Sequence, residues 1–446
     1  MTCFIDAAVR RGLTVALLGG LLGATACASD DELNARSGGK EEPAATEAPA
    51  AKAPAATTAT PAPLRVSMFL ELSGGMRGFM PANAPDTQPT EFQTYISQLA
   101  SRTRSSPAVT EAQFLLALQD TPAPTTYKHF RDVVQGDTRE AAPGTELPDM
   151  LETILGQPGA AGRVSVVVSD FIYGPANKAD IALMKVRITD ALAAVRQKQL
   201  AVAVLAATSR FSGTFHPAVK TPREKVSVAG QPMPYYVWVI GPPAAVGRYL
   251  NEVTPGNEAK QAFFGLALPK VPATAVLTQV PLSSPLAPSG EGSVSFATGQ
   301  PSAELEVSDV KDGVEFTVAL NLAALPAAWR EPAFLAQHLR VQLDGGAARL
   351  VPKSVQVLKD VAGLADYTHA LRLRLSALPK QPATLRLSLP APETPAWVAD
   401  WTTQNDNQPG TPPRTYRLGE IVGGVREVFP GALPPVFTTQ FTLTQD

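Results

Sequence analysis

The sequence predicts an α/β fold, a doubly wound and mostly parallel sheet, followed by a β-rich, sandwich-like C-terminal domain. Two patterns carry this reading. From residue 64 to about 254, continuously apolar runs alternate with stretches whose apolar residues recur every three or four positions, as in a parallel sheet covered by helices on both faces. Beyond it, Val314-Glu315-Phe316-Thr317-Val318, Leu371-Arg372-Leu373-Arg374-Leu375 and Leu385-Arg386-Leu387-Ser388-Leu389 alternate apolar and polar residues, the pattern of antiparallel strands with one wet face. A chain of 446 residues has room for two or three such units.

Taken in order, residues 1–27 read as an export signal. Arg10 and Arg11 supply the positive end, Leu13 to Leu22 the apolar core, and Ala24-Thr25-Ala26 the small residues before Cys27. A cysteine in that place resembles a bacterial lipobox, and the acidic cluster Ala28-Ser29-Asp30-Asp31-Glu32 after it resembles the surface-export signal of Bacteroidota lipoproteins. The expectation is an exported protein held to the membrane through lipid on Cys27, at the outer membrane or cell surface. Cys3 and Cys27 are the only cysteines, so the body of the chain has neither a disulfide nor a Cys-bound metal. Residues 28–63, almost all Ala, Pro, Thr, Glu and Lys from Lys40 onward, cannot bury enough surface to fold and read as a tether.

The α/β domain is expected over 64–260. Leu64 to Leu72 is a buried strand that breaks into a Ser73-Gly74-Gly75 turn. Thr90-Glu91-Phe92-Gln93 has capping-box spacing, and Phe92, Tyr95, Ile96 and Leu99 line one helix face. Gln113 to Gln119 is a short strand, while Tyr127 to Val134 fits either element. Leu147, Met150, Leu151, Ile154 and Leu155 face one side of a second helix with Thr145 as its N-cap. Arg163 to Val168 is a strand covered on both faces, ending in Ser169-Asp170. Ile181, Met184, Ile188, Leu192 and Val195 mark a third helix, Leu200 to Ala206 and Tyr235 to Ile240 two more strands, and Val246, Tyr249, Leu250 and Val253 a last helix after Gly241-Pro242-Pro243. These elements account for each other's buried faces, so 64–260 should fold alone. The sandwich-like module is read over 285–390. Residues 391–446 hold Trp397, Trp401, a polar run from Thr402 to Gln408 and a short helix from about Leu418 to Phe429 that packs back on one of the two domains.

With 38 Lys plus Arg against 40 Asp plus Glu, the net charge of −2 gives no electrostatic case for nucleic acid. The histidines His129, His216, His338 and His369 are scattered without ligand or triad spacing, and no phosphate-binding glycine motif occurs.

Three pieces promise chemistry. Glu71 stands two residues before the hydroxyl of Ser73 at a strand end, Thr145 lies at a helix start in Gly144-Thr145-Glu146-Leu147, and Asp170 ends a second buried strand. In order and context they resemble the von Willebrand factor A domain and its metal-ion-dependent adhesion site, whose first loop reads D-x-S-x-S, whose Thr comes from a G-T-x-L turn and whose Asp ends the fourth strand. Here Glu71-Leu72-Ser73-Gly74-Gly75 has a carboxylate one methylene longer and lacks the last hydroxyl. The resemblance implies a hard cation such as Mg²⁺, weakly held by Glu71, Ser73, Thr145 and Asp170, with open positions for a partner's acidic group. The competing reading is structural: Thr145 and Asp170 cap helices and Ser73 bonds its own turn.

The reading adopted is a binding or assembly module for envelope proteins and not a catalyst. One alternative is a glycan-binding lipoprotein using Trp397, Trp401, Asn405, Asp406 and Asn407, a cluster that otherwise closes a hydrophobic seam. The other is a serine hydrolase using Ser73 with Asp170.

Overall fold

The computed structural model describes residues 62–445, except 83–87, 120, 175–177, 257–259, 269–270, 279, 281–283, 285, 290–291, 309–312, 360, 362, 411, 430 and 432. The segments expected as export signal and tether, Cys27 included, lie outside the described residues but for 62–63. No helix among the described residues is long and apolar enough to cross a membrane.

The chain is mixed α/β. Its first part runs β1 (Leu64–Glu71), α1 (Glu91–Ser105), β2 (Val109–Leu118), β3 (Thr121–Thr125), α2 (Tyr127–Val134), α3 (Leu147–Gly156), β4 (Val164–Ser169), α4 (Lys178–Ala182), α5 (Met184–Ala191), α6 (Ala193–Gln197), β5 (Ala201–Phe215), β6 (Val226–Gly241), α7 (Pro243–Glu252) and β7 (Lys260–Phe264). The described strands form a seven-stranded sheet in the order β3-β2-β1-β4-β6-β5-β7. β1 is parallel to both neighbours, with Met68 opposite Phe114 on one side and Val166 on the other. Met68 and Leu70 point into one apolar core with α1 and α7, and Phe69 into a second with α3 and α5, so the central strands are covered on both faces as the unbroken apolar runs require.

Local signals explain most boundaries. Thr90 accepts from the Gln93 N–H at 3.1 Å while the Gln93 side chain accepts from the Thr90 N–H at 3.0 Å, a complete capping box at the start of α1. The ambiguous stretch at 127–134 is helical, because Thr126 accepts from the His129 N–H at 3.1 Å. β3, TPAPT, has no strand signature in the sequence; its two prolines suit it to the edge it occupies. The third expected helix is broken at Leu183 and Leu192 into α4, α5 and α6, yet Met184, Ile188, Leu192 and Val195 keep their buried face.

The parallel arrangement stops at β4. β6 lies antiparallel to β4 and to β5, and β5 antiparallel to β7. The expected strands 200–206 and 235–240 are the roots of one long hairpin, β5 and β6, paired from Ala201–Gly241 to Phe215–Val226. Ten residues, 216–225, join them, too few for a parallel crossover. The outer half of the hairpin runs past the ends of β4 and β7 and is partly wet, which hid it from an apolar-run reading.

The second part runs β8 (Thr274–Leu277), β9 (Ser293–Phe296), β10 (Glu304–Ser308), β11 (Val314–Leu320), α8 (Ala327–Arg330), α9 (Pro332–His338), β12 (Arg340–Leu343), β13 (Ala347–Leu350), β14 (Gln356–Val357), β15 (His369–Ala377), β16 (Ala383–Leu389), α10 (Ala396–Asp400), β17 (Thr402–Thr403), β18 (Thr415–Tyr416), α11 (Leu418–Glu427) and β19 (Phe437–Gln445). The described strands give one sheet in the order β12-β16-β19-β10-β9 and another in the order β13-β15-β11-β8, with β14 on β15. β16 alternates buried and half-buried residues as expected. β11 does not: Glu315 and Thr317 are buried because Leu286–Ser289 covers them, Thr317 donating to the Leu286 carbonyl at 2.7 Å and Glu315 accepting from Ser289 Oγ at 2.7 Å and Arg374 Nη1 at 3.2 Å. These two sheets draw strands from 274 to 445, wider than the 285–390 reading, because β8 and β19 pair across long sequence gaps. The final segment divides: β19 joins the sheet between β16 and β10, while α10 and α11 cover the second face of the seven-stranded sheet.

Candidate functional site

Because β2, β1 and β4 are parallel, their carboxyl ends share one edge, where open α/β sheets place ligands. The loop after β1 is fastened there from both sides. Leu72 N–H donates to the Ala117 carbonyl at 3.0 Å; the Ala142 N–H donates to the Leu72 carbonyl at 2.9 Å, and the Gly74 N–H to the Ala142 carbonyl at 2.8 Å. This short ladder, with Ser73 bridged to Ala142, lays Pro143-Gly144-Thr145 across the end of β1. β4 delivers Asp170 beside it. Glu71, Ser73, Thr145 and Asp170 therefore line a single cleft of about 420 Å³, whose wall also includes Gln119, His216 and Lys220.

Glu71 and Asp170 are each only 5% exposed. Burial raises the Glu71 carboxyl, partly offset by hydroxyls: Ser169 donates to its Oε2, and Ser73 and Thr145 act in the same direction. Burial also raises Asp170 well above the usual carboxylate range, and the Glu71 charge adds to this; the Ile172 N–H, donating to Asp170 Oδ1 at 3.0 Å, works against it. No basic side chain is among the groups acting on either carboxyl.

Thr145 does not cap α3. Glu146 holds the N-cap position and Pro148 presets the first turn, so the Thr145 hydroxyl is left buried without a hydrogen bond of ordinary geometry. Nor does Asp170 cap a helix; its carboxylate holds the Ile172 N–H inside the loop after β4. At Gly75 a Cβ would stand 3.2 Å from Asp170 Oδ2 and 3.6 Å from Ser73 Oγ. Together these supply an all-oxygen donor set with one orphaned hydroxyl, which fits a hard cation with few protein ligands. Among the described residues no group of three or more His, Cys, Asp or Glu side chains is placed to hold a metal, so such a cation would rest on two carboxylates and hydroxyls.

Sequence reasoning missed several contributors. Ser169, 1% exposed, adjoins Asp170 but looked like one more residue of a buried strand. His216 and Lys220 reach the cleft from the loop of the β5–β6 hairpin, whose length was not legible. That loop is gripped by the C-terminal segment: Asp406 accepts from the Ala218 and Val219 N–H groups at 2.8 and 3.0 Å, and Asn407 Nδ2 donates to the Val219 and Arg223 carbonyls at 2.6 and 2.5 Å. Burial lowers the His216 pKa, and Lys220 and Lys225 lower it further. Trp397 and Trp401 are 9% exposed and pack in the core, Trp397 donating to the Gln261 carbonyl of edge strand β7 at 3.0 Å. Of the cluster offered as a glycan platform, Trp397, Trp401, Asp406 and Asn407 are buried and Asn405 is exposed.

Comparisons of the chain with protein-family models, with curated proteins and with solved structures give no match.

Proposed function

We propose that this chain is an exported, lipid-anchored envelope protein whose α/β domain is von Willebrand A-like and serves as a protein-binding or assembly module, with a hard cation of the Mg²⁺ class held weakly by Glu71, Ser73, Thr145 and Asp170. The observation that carries the reading is the buried carboxyl pair Glu71 and Asp170, at the ends of adjacent parallel strands, lining one cleft with the Ser73 and Thr145 hydroxyls. The parallel β2-β1-β4 unit with helices on both faces supports the fold assignment; the antiparallel β6-β5-β7 half departs from a doubly wound sheet. The cation would neutralise the carboxyl pair and offer open coordination positions to an acidic group of a partner protein. The partner and the membrane are reached from one chain, through the cleft and through lipid on Cys27.

The ligand count sets the strength. Loss of the last loop hydroxyl removes a direct donor, and water replaces it readily on Mg²⁺. Binding without a partner is therefore at or above roughly millimolar, no more than about 4 kcal/mol. A melting-temperature titration with Mg²⁺ and Mn²⁺, on wild type and Asp170→Ala, tests it. The expected wild-type gain is below about 1.5 kcal/mol at ten times the dissociation constant, and absent in the variant. Coincident curves for the two proteins would remove the cation. The hydrolase alternative predicts covalent labelling of Ser73 by a serine-reactive probe; the binding reading predicts none.

A further inference from the structure

We propose that Ser169, which lies outside the ligand set implied by the resemblance, is the positioning residue of the cation site: it draws back the longer Glu71 carboxylate and so compensates for the hydroxyl missing at Gly75. The inference rests on the cation reading above.

The argument is one of donors and acceptors. A serine hydroxyl has a single hydrogen. The Phe171 N–H donates to Ser169 Oγ at 2.8 Å, so that oxygen is the acceptor on this side, and its own hydrogen is directed to Glu71 Oε2. The relay Phe171 N–H to Ser169 to Glu71 thus has one direction and pins one oxygen of a side chain with more freedom than an aspartate. The remaining acceptor capacity of the carboxylate is left toward the cleft, within reach of the Ser73 and Thr145 hydroxyls.

Both ends of the relay are fixed by surrounding structure. Phe171 has a left-handed backbone, φ +52°, uncommon for a bulky residue, and is kept there by its ring, stacked on Trp238 at 4.4 Å and 17° and set edge-on to Tyr236. Ser169 is paired in β4 next to β6. On the opposite side, a side chain at position 75 has no easy room, since its Cβ would press on Asp170 Oδ2 at 3.2 Å. A serine at position 75 would require Asp170 to give way by a few tenths of an ångström, whereas the hydroxyl arriving from β4 already donates to Glu71.

The test is Mn²⁺ binding to the full chain, read from the relaxation of water protons, which suits weak sites, together with the melting temperature in EDTA. Ser169→Ala should weaken Mn²⁺ roughly ten-fold, the scale of one hydrogen bond to a charged group, and Ser169→Thr should stay within about three-fold of wild type. In a Glu71→Asp background, whose shorter carboxylate cannot reach residue 169, adding Ser169→Ala should change binding less than about two-fold. Should Ser169→Ala fail to fold, Ser169→Cys keeps the size and replaces a strong donor by a weak one, and should shift binding the same way. A Ser169→Ala protein that melts lower in EDTA yet binds Mn²⁺ like wild type would make the residue a strand tie only and overturn the proposal. So would equal losses in the wild-type and Glu71→Asp backgrounds. Wild-type binding that Asp170→Ala leaves untouched would instead remove the cation reading, and the role of Ser169 with it.

Discussion

At Asp170, burial and charge act against ionisation together. Its carboxyl is raised by desolvation first and by the Glu71 charge second, so in the metal-free protein the neutral form suits the fold better than the anion. The sign of the linkage follows. Between the ordinary carboxylate value and the raised folded value, the folded state binds more protons than the unfolded one, so stability is fully present at low pH and is lost as the pH rises through that window. Asp170→Asn retains an oxygen for the Ile172 N–H and removes the charge. In EDTA it should melt above wild type at neutral pH, on the scale of the few degrees that about 1 kcal/mol makes in a large domain, and the gap should shrink toward pH 4. Melting curves from pH 4 to 8 check this; a gap that widens on acidification contradicts it. The four candidate residues were legible because each stands where a strand or helix pattern ends. Ser169 was not, since nothing in a run of buried residues tells which hydroxyl faces a carboxylate.

The β5–β6 hairpin shows what an element adds. Its outer half leans on the loop after β1, where Phe211 packs edge-on to Phe79 at 5.0 Å, and a Cβ at Gly78 would collide with the Phe211 ring at 2.2 Å. Its connecting loop brings His216 and Lys220 to the cleft and is held by Asp406 and Asn407. Asp406→Ala leaves two backbone N–H groups without their acceptor. A loss of about 2–4 kcal/mol is expected, with faster amide exchange at Ala218 and Val219 than at the β1–β4 core. Unchanged exchange at those two amides would mean that the loop holds itself. α11 is seated as closely: a Cβ on Gly424 would come within 2.8 Å of both the Ile188 side chain and the Lys185 carbonyl. Gly424→Ala should therefore cost about 1–3 kcal/mol and loosen the packing around Trp401, visible as a change in tryptophan emission. The hairpin's extent was hidden because its outer half is partly wet, and the grip on its loop because it depends on contacts between residues nearly two hundred positions apart.

For the whole molecule, the cut at 260 takes on a different expectation from the one the sequence suggests. α10 and α11 supply Trp397, Trp401, Ile421, Val422, Val425 and Val428 to the core over Tyr236, Trp238 and Ile188. Across the opposite face, one apolar cluster runs from Met68 and Val246 into Phe316 and Leu385 of the β-rich part, and Trp329 sits edge-on to Phe263 at 5.0 Å. A 64–260 fragment loses both covers. It should lack a cooperative melt and bind a hydrophobic dye, whereas 62–446 should melt cooperatively; a sharp transition for the fragment would show the covers to be dispensable. At the other end of the chain, Cys27→Ser should move the protein from the membrane fraction to the soluble one, and continued flotation with membranes would end the lipid-anchor proposal.

By itself the sequence determined most strands and helices of 64–254, apart from β3, α2 and the outer half of the β5–β6 hairpin, together with the capping box at Thr90, the alternating strands at Leu371 and Leu385, and the strand-end positions of Glu71 and Asp170. These follow from periodicity and from end-capping chemistry, which act over a few residues. Only the tertiary structure decided that β6 runs antiparallel between β4 and β5, that the last fifty residues split between the seven-stranded sheet and the β-rich part, and that the Thr145 hydroxyl lines a cleft and does not cap α3. The reason is physical. Strand direction is set by the length of the connection and by which edge is free, the covering of an apolar face by any segment that can reach it, and the role of a hydroxyl by the atoms that burial places around it, none of which a local pattern contains.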